Sequence, residues 1–335
     1  MDFQIPIQLK PLSTPITYRD KIFLMGSCFT EHIGGRLQEL KFSVLQNPNG
    51  ILFDPASVCN SLISYIEKKQ YTAGDLFYRD ELWQSWQHHS RFSAVHQETV
   101  LENINNSQHK ASESIGNANW LIITLGSSFS YRLKSDDAPS EGSGITREVA
   151  NCHRAPGQWF WKYLLEIEET FTLLNETIQR LSKINPGLKI IFTISPVRHI
   201  RDGVVENNRS KARLIEAVHQ LVNQYEHIYY FPAYELVIDV LRDYRFYDID
   251  LVHPNYPATE FVFEKFTESC IDDAAKLLIP EIKKIANAFK HKAFQPQTIA
   301  HRQFLQSSLE KATMLQQEFP FLDLKEEIAY FSRLK

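Results

Sequence analysis

Cysteine is sparse: Cys28, Cys59, Cys152 and Cys270 are the only four among 335 residues, widely spaced and without a CxxC pair. That spacing excludes a disulfide framework and a zinc-ligand set, so each thiol reads first as a packing residue in a reducing compartment. An excess of positive charge is missing too. The formal net charge of −4 excludes a general nucleic-acid binder, because neutralising phosphates takes a basic surface. No apolar run approaches the roughly 20 residues that span a bilayer, so no membrane partner is expected. The stretch MDFQIPIQLKPLSTPITYRDK has no basic segment followed by an apolar one; it does not read as a secretory leader, and the expected location is cytoplasmic. Neither G-x-G-x-x-G nor a Walker A loop occurs, so no organic cofactor is expected. His88 and His89 have no carboxylate at ligand spacing, so no metal site is expected either. Nothing in the pattern sets an oligomeric state.

What is present is a globular composition, 43% hydrophobic and 23% charged, on a chain long enough for one large domain with additions or for two ordinary ones. Apolar strand-like runs fall at 21–26, 42–46, 120–126, 189–196 and 228–233. Helical patterns at 164–184 and 211–225 lie between the later ones, the second with Leu214, Ile215, Val218, Leu221 and Val222 on one face. Continuous apolar strands alternating with amphipathic helices predict a parallel sheet covered on both faces, a three-layer α/β sandwich. Residues 57–118 break the rhythm and read as an insertion over the sheet edge, its polar run 103–114 a solvated loop. Residues 132–148 read as an exposed loop. A single helix is expected over 259–278, closing an α/β domain of residues 1–276. A helical C-terminal extension follows over 277–335, with a linker at Pro296 and a helix over 301–319. Trp83, Trp86, Trp159 and Trp161 read as packing residues rather than a sugar platform.

Two short stretches carry chemistry. In FLMGSCFTEHIGGRL, residues 23–37, a buried strand breaks at Gly26 into Ser27 and Cys28 ahead of a helix. Either this is a tight turn, or a nucleophile stands at the carboxyl edge of the sheet, where open α/β folds keep their ligand crevices. In YDIDLVHPN, Asp250 precedes His253 by three residues and Pro254 follows. A carboxylate so placed can accept the Nδ1 proton, fix the tautomer and leave Nε2 as a base. Arg198 and His199 follow the fourth strand run, and Asn151, His153 and Arg154 follow the third. Arg198 suits either a clamp on a substrate carboxylate or phosphate, or an ion pair between loops.

The motifs MGSCFTE, NPNGILFDP, LGSSFSYR, VANCHRAP, SPVRHIRDG, NNRSKA and RDYRFYDIDLVHPN, in this order, resemble the GSCFA family, a branch of the SGNH (GDSL-type) hydrolase-like superfamily. The resemblance implies a flavodoxin-like sandwich and an acyl-ester hydrolase or acyltransferase acting on an acylated sugar or small metabolite. It places Cys28 at the nucleophile position, with Ser27 as the alternative one residue earlier, and His253 and Asp250 as base and orienter. It also implies Gly50, with Asn49 beside it, as an oxyanion donor. The third superfamily block normally supplies an asparagine. Here it reads Gly126-Ser127-Ser128, which leaves Ser128 or Asn151 as substitute donors. A thiolate paired with an imidazolium is expected to titrate well below about 8.5. The missing asparagine keeps a second reading open, a catalytically degenerate module of the same fold that binds a ligand or a protein.

Overall fold

Five apolar segments pair as parallel strands in a computed structural model that describes residues 5–134 and 148–333. The first, β1 (Lys21–Gly26), is buried after its first residue. It leads into helix α1 (Cys28–Glu39) and the short strand β2 (Ser43–Gln46). Next come α2 (Pro55–Ile66), a small hairpin of β3 (Phe77–Arg79) and β4 (Leu82–Gln84), and α3 (Gln97–Asn117). Strand β5 (Trp120–Leu125), wholly buried, is followed by a second hairpin, β6 (Phe129–Leu133) and β7 (Phe160–Leu164). The sandwich continues through α4 (Ile167–Ile184), β8 (Lys189–Ile194), α5 (Val204–Gln224) and β9 (Ile228–Tyr230). A short helix α6 (Ala233–Glu235) runs on as a π-helical segment, Leu236–Leu241. The helices α7 (Tyr256–Cys270), α8 (Asp273–Lys290), α9 (Ile299–Glu318) and α10 (Lys325–Phe331) complete the fold.

The sheet order is β2-β1-β5-β8-β9, all parallel. The chain steps from β1 to β2 on one side and returns to β5 on the other, so the switch point lies between the ends of β1 and β5. Side chains of the central strands alternate between two cores. Leu24, Trp120, Ile122 and Ile191 pack under α1, α7 and α8. Phe23, Met25, Leu121, Ile123 and Phe192 pack under α2, α3, α4 and α5. This is the three-layer α/β sandwich that the strand and helix pattern predicts.

Several expected boundaries move. The polar run 103–114 lies inside α3, whose buried residues Val100, Ile104, Gln108, Ala111 and Ile115 recur every three or four positions. It therefore belongs to one covering layer, with α2, and not to a solvated loop. Strand β9 ends early because Pro232 has no N–H to continue the ladder after Phe231 donates to Phe192 O at 2.8 Å. Helix α5 begins at Val204, ahead of its apolar stripe. The helix expected over 259–278 is two helices. Ile271 is extended and bridges Ile16, and the Asp272 side chain caps the Ala275 N–H at 2.9 Å to start α8. The boundary expected at 276/277 falls within α8, whose Ile279, Ile282 and Ile285 join the α1-side core. Of the loop expected over 132–148, Arg132 and Leu133 belong to β6 and Arg132 bridges Glu148, while 135–147 lie outside the described residues. Among the described residues no helix is long and apolar enough to cross a membrane.

Candidate active site

The geometry at the end of β1 follows from Gly26. Its φ is +141°, and an added Cβ would stand 2.2 Å from the Thr124 carbonyl oxygen, so only glycine lets β1 and β5 approach so closely. The Gly26 N–H donates to Asn47 Oδ1 at 2.9 Å and the Ser27 N–H to Thr124 O at 3.0 Å. Ser27 is then the N-cap of α1. Its hydroxyl oxygen accepts the Phe29 N–H at 3.3 Å, and the residue is 2% exposed. Cys28, the first residue of α1, is half-buried against the α1-side core, beside the backbone N–H groups that open the helix. Burial nonetheless raises the thiol above its usual value, with Glu31 adding to the rise and Lys211 opposing it. The expected low pKa is corrected: the helix N-terminus does not outweigh desolvation, and the resting group is a thiol.

Asp250 and His253 sit on the loop between α6 and α7. Asp250 Oδ2 accepts His253 Nδ1 at 2.6 Å, and Oδ1 accepts the N–H groups of Val252 at 2.9 Å and His253 at 3.0 Å. Those bonds, the His253 N–H first and its ring second, hold the carboxyl down at about 2. The pair is half-exposed, at 46% and 47%, so Nε2 is open to a substrate. The Arg198 N–H donates to Val252 O at 3.3 Å, which ties this loop to the end of β8. Because α1 begins directly after β1 and the Arg198–Val252 bond holds the Asp250–His253 loop to the connection leaving β8, both stretches lie at the carboxyl edge of the parallel sheet.

The expected oxyanion donors fare differently. The Gly50 N–H donates to Asn47 O at 2.8 Å, closing the turn 47–50, so it is not free for a substrate oxygen. Asn49 is 2% exposed, its amide donating to Ser61 Oγ at 3.1 Å and accepting from Tyr65 at 2.8 Å. Ser128 is fully buried, and its hydroxyl donates to Ser210 O at 3.1 Å on α5. Asn151 Oδ1 accepts the His153 N–H at 2.8 Å, in a turn held to Trp86 by the Ala150 N–H. Gly50, Asn49 and Ser128 are corrections with one cause: a polar group at the sheet edge is satisfied within the protein when a partner is in reach; the Asn151 bond occupies its acceptor oxygen and does not engage the amide donor. Gly126 lies at the edge, its N–H on Phe53 O at 2.7 Å, and an added Cβ would meet Phe53 Cβ at 2.9 Å and His199 Nε2 at 3.1 Å.

His199 leans on the Phe53 ring, and its buried Nε2 has no hydrogen-bond partner. Burial, then Lys211 and His253, push it down to about 3, so it is neutral. Arg198 stacks on the Tyr247 ring at 5.1 Å and has no carboxylate partner among the described residues. Of the tryptophans, Trp86 is 4% exposed and stacks on Phe77, whereas Trp161 on β7 is 65% exposed and is not a packing residue. His88 is a core residue, its Nδ1 on Ser85 Oγ at 2.9 Å. Among the described residues no three His, Cys, Asp or Glu side chains converge at metal-binding range.

One residue of this edge escaped the sequence reading. Lys211 is 1% exposed and donates from Nζ to Gly126 O at 2.5 Å and Ser195 O at 2.6 Å. The available signal was its position on the buried face of α5, three residues before Leu214.

A doubly wound α/β fold with a cysteine and an Asp–His pair at one sheet edge defines the class. The chain belongs to the GSCFA family: the GSCFA family model matches residues 21–266, and the model of the GSCFA domain protein C-terminal domain matches 282–334. No curated protein matches the chain. Among solved structures, the Clostridium thermocellum family 3 carbohydrate esterase aligns at 11% identity and a TM-score of 0.32, covering 81% of this chain and 100% of its own.

Proposed function

We propose that this protein is a thiol-dependent acyl-ester hydrolase or acyltransferase of the SGNH-like type, acting on an acylated sugar or small metabolite in a reducing, cytoplasmic setting. The observation that carries the reading is the 2.6 Å bond from His253 Nδ1 to Asp250 Oδ2, which leaves an oriented, half-exposed Nε2 at the edge that holds Cys28. His253 Nε2 takes the Cys28 proton as the sulfur attacks the ester carbonyl carbon, and the C=O π electrons move onto oxygen. The Cys28 N–H, at the start of α1, serves as donor to that oxyanion, since the Phe29 and Thr30 N–H groups are held by Ser27 Oγ and Ser27 O. Collapse of the intermediate breaks the C–O bond, and the leaving alkoxide takes the proton back from His253. Water or an acceptor alcohol, deprotonated by the same imidazole, then attacks the thioester and releases Cys28. The raised thiol pKa fits this order, since a thiol that rests protonated requires a base.

A second reading, a ligand- or protein-binding module, is favoured by one observation: Gly50, Asn49 and Ser128 are all bonded internally. Hydrolysis of short-chain aryl esters and acetylated sugars by the wild type, Cys28→Ala and His253→Ala decides between them. Turnover lost in both variants, with the fold retained, supports the enzyme. Turnover absent in the wild type, or unchanged in both variants, supports the module.

A further inference from the structure

Helix α9 is thinly covered for its apolar content. Of its 20 residues only Ser308 and Ala312 are buried. Leu305 and Leu309 reach part-way into the α1-side core, but a second stripe points elsewhere. Phe304, Lys311, Met314, Leu315 and Glu318 recur at helical spacing and form one wall of a groove of about 460 Å³. Helix α8 forms the other wall, with Ile285 and Ala288 among its residues. Met314 is 68% exposed and Phe304 36%. Leu277, two turns before Lys284 on α8, is 79% exposed. Single apolar residues are ordinary on a surface, but several at helical spacing along one groove mark a docking face.

The charges of the groove single out its occupant. On α8, Glu281 and Lys284 pair with each other at 2.6 Å. On α9, Lys311 and Glu318 have no ion pair among the described residues, and they lie two turns apart with Met314 and Leu315 between them. The stripe therefore runs basic, apolar, apolar, acidic. A two-fold axis perpendicular to α9, passing between Met314 and Leu315, reverses that order in a second copy. It sets Lys311 opposite Glu318 of the second copy, Glu318 opposite its Lys311, and the apolar residues opposite one another. A stripe in this order is complementary to itself, which an unrelated partner does not require.

We propose that the α8–α9 groove is the interface of a homodimer in which α9 of each chain lies antiparallel against α9 of the other. Met314 and Leu315 form its apolar centre, Ile285 and Ala288 extend it, and the two Lys311–Glu318 pairs fix the register. The inference is independent of the ester chemistry, because the groove belongs to the C-terminal helices and not to the sheet edge.

Sedimentation equilibrium of the full chain between about 1 and 100 μM reads mass and dissociation constant together. The wild type is expected to dimerise within that range. A chain that stays monomeric throughout leaves the groove to a different protein and overturns the proposal. Met314→Glu puts a charge at the centre of the contact and is expected to weaken association about 100-fold. Lys311→Glu and Glu318→Lys, each alone, set like charges opposite one another and are expected to weaken it about 10-fold or more. Mixing these two single variants, or making both exchanges in one chain, brings opposite charges together again and is expected to restore the dimer. Should Met314→Glu fail to fold, the charge exchanges at two exposed positions decide. A dimer that none of these variants weakens forms through another surface, and that result overturns the proposal, as does a failure of the exchanged charges to restore association.

Discussion

The Ser27 hydroxyl oxygen lies 3.3 Å from the Phe29 amide nitrogen and points into the protein, while Cys28 beside it stays half-exposed. Adjacent in sequence, the two residues are placed differently, one capping α1 and one half-buried against the α1-side core. Removing the cap in Ser27→Ala is expected to cost about 1 kcal/mol, a fall in Tm of about 2 °C for a chain of this size, with turnover within a few-fold of wild type. Thermal unfolding and ester hydrolysis check both halves. Abolished turnover at an unchanged Tm would give the nucleophile's place to Ser27.

Asp250→Asn keeps an oxygen for the N–H groups of Val252 and His253 but presents an amide donor to Nδ1, favouring the wrong tautomer. The expected result is a kcat lowered on the order of 10²–10⁴-fold with KM little changed. Because the folded carboxyl sits at about 2, below its ordinary value, its contribution is present above the ordinary carboxylate range and is lost only as pH falls toward 2. Activity that declines between pH 6 and 4 therefore reports a group other than Asp250.

His88 and His199 are both pushed down to about 3, in each case first by burial. Between that value and the unfolded value near 6.5, the unfolded chain binds protons that the folded chain does not, so stability falls as pH drops through this window. His88→Phe, in a buried pocket among Tyr71 and Phe92, is expected to flatten that dependence by about 1.4 kcal/mol per pH unit. Urea unfolding between pH 4 and 6 measures it. An unchanged slope would mean that His88 accepts its proton in the folded state.

Glu327 of α10 is 4% exposed and pairs with Lys41, just beyond α1, at 2.5 Å. Glu327→Ala leaves Lys41 without its anion, at an expected cost of about 3–5 kcal/mol. Replacing both by leucine is expected to recover most of that loss. Urea unfolding of the single and double variants tests the pair; equal destabilisation in both would mean that packing and not charge sets the cost.

The strands were legible because both faces of a parallel sheet are buried, so β1, β5 and β8 read as unbroken apolar runs. His253 and Asp250 were legible because their bond is local, three residues apart. The partners of Gly50 and Asn49 also lie near in sequence, but their bonds depend on how the turn 47–50 closes against α2. Ser128 bonds Ser210, and the Lys211 acceptor Gly126 is 85 positions away. Such pairings follow from the sheet and are invisible before it forms. The polar length of α3 misled for another reason: a helix covering one side of a sheet needs only a narrow apolar stripe, and Val100, Ile104, Ala111 and Ile115 supply it.

The pairing of Gly26 with Thr124 bears on the order in which the molecule assembles. Strand β1 is the first of the sheet to leave the ribosome, yet its neighbour on the crevice side follows roughly a hundred residues later, a long loop to close before any contact rewards it. Until β5 arrives, the backbone on which Ser27 and Cys28 rest is absent, and a thiol that the fold half-buries stays fully open to solvent. During synthesis, then, Cys28 is most open to oxidation before the fold has raised its pKa and sheltered it.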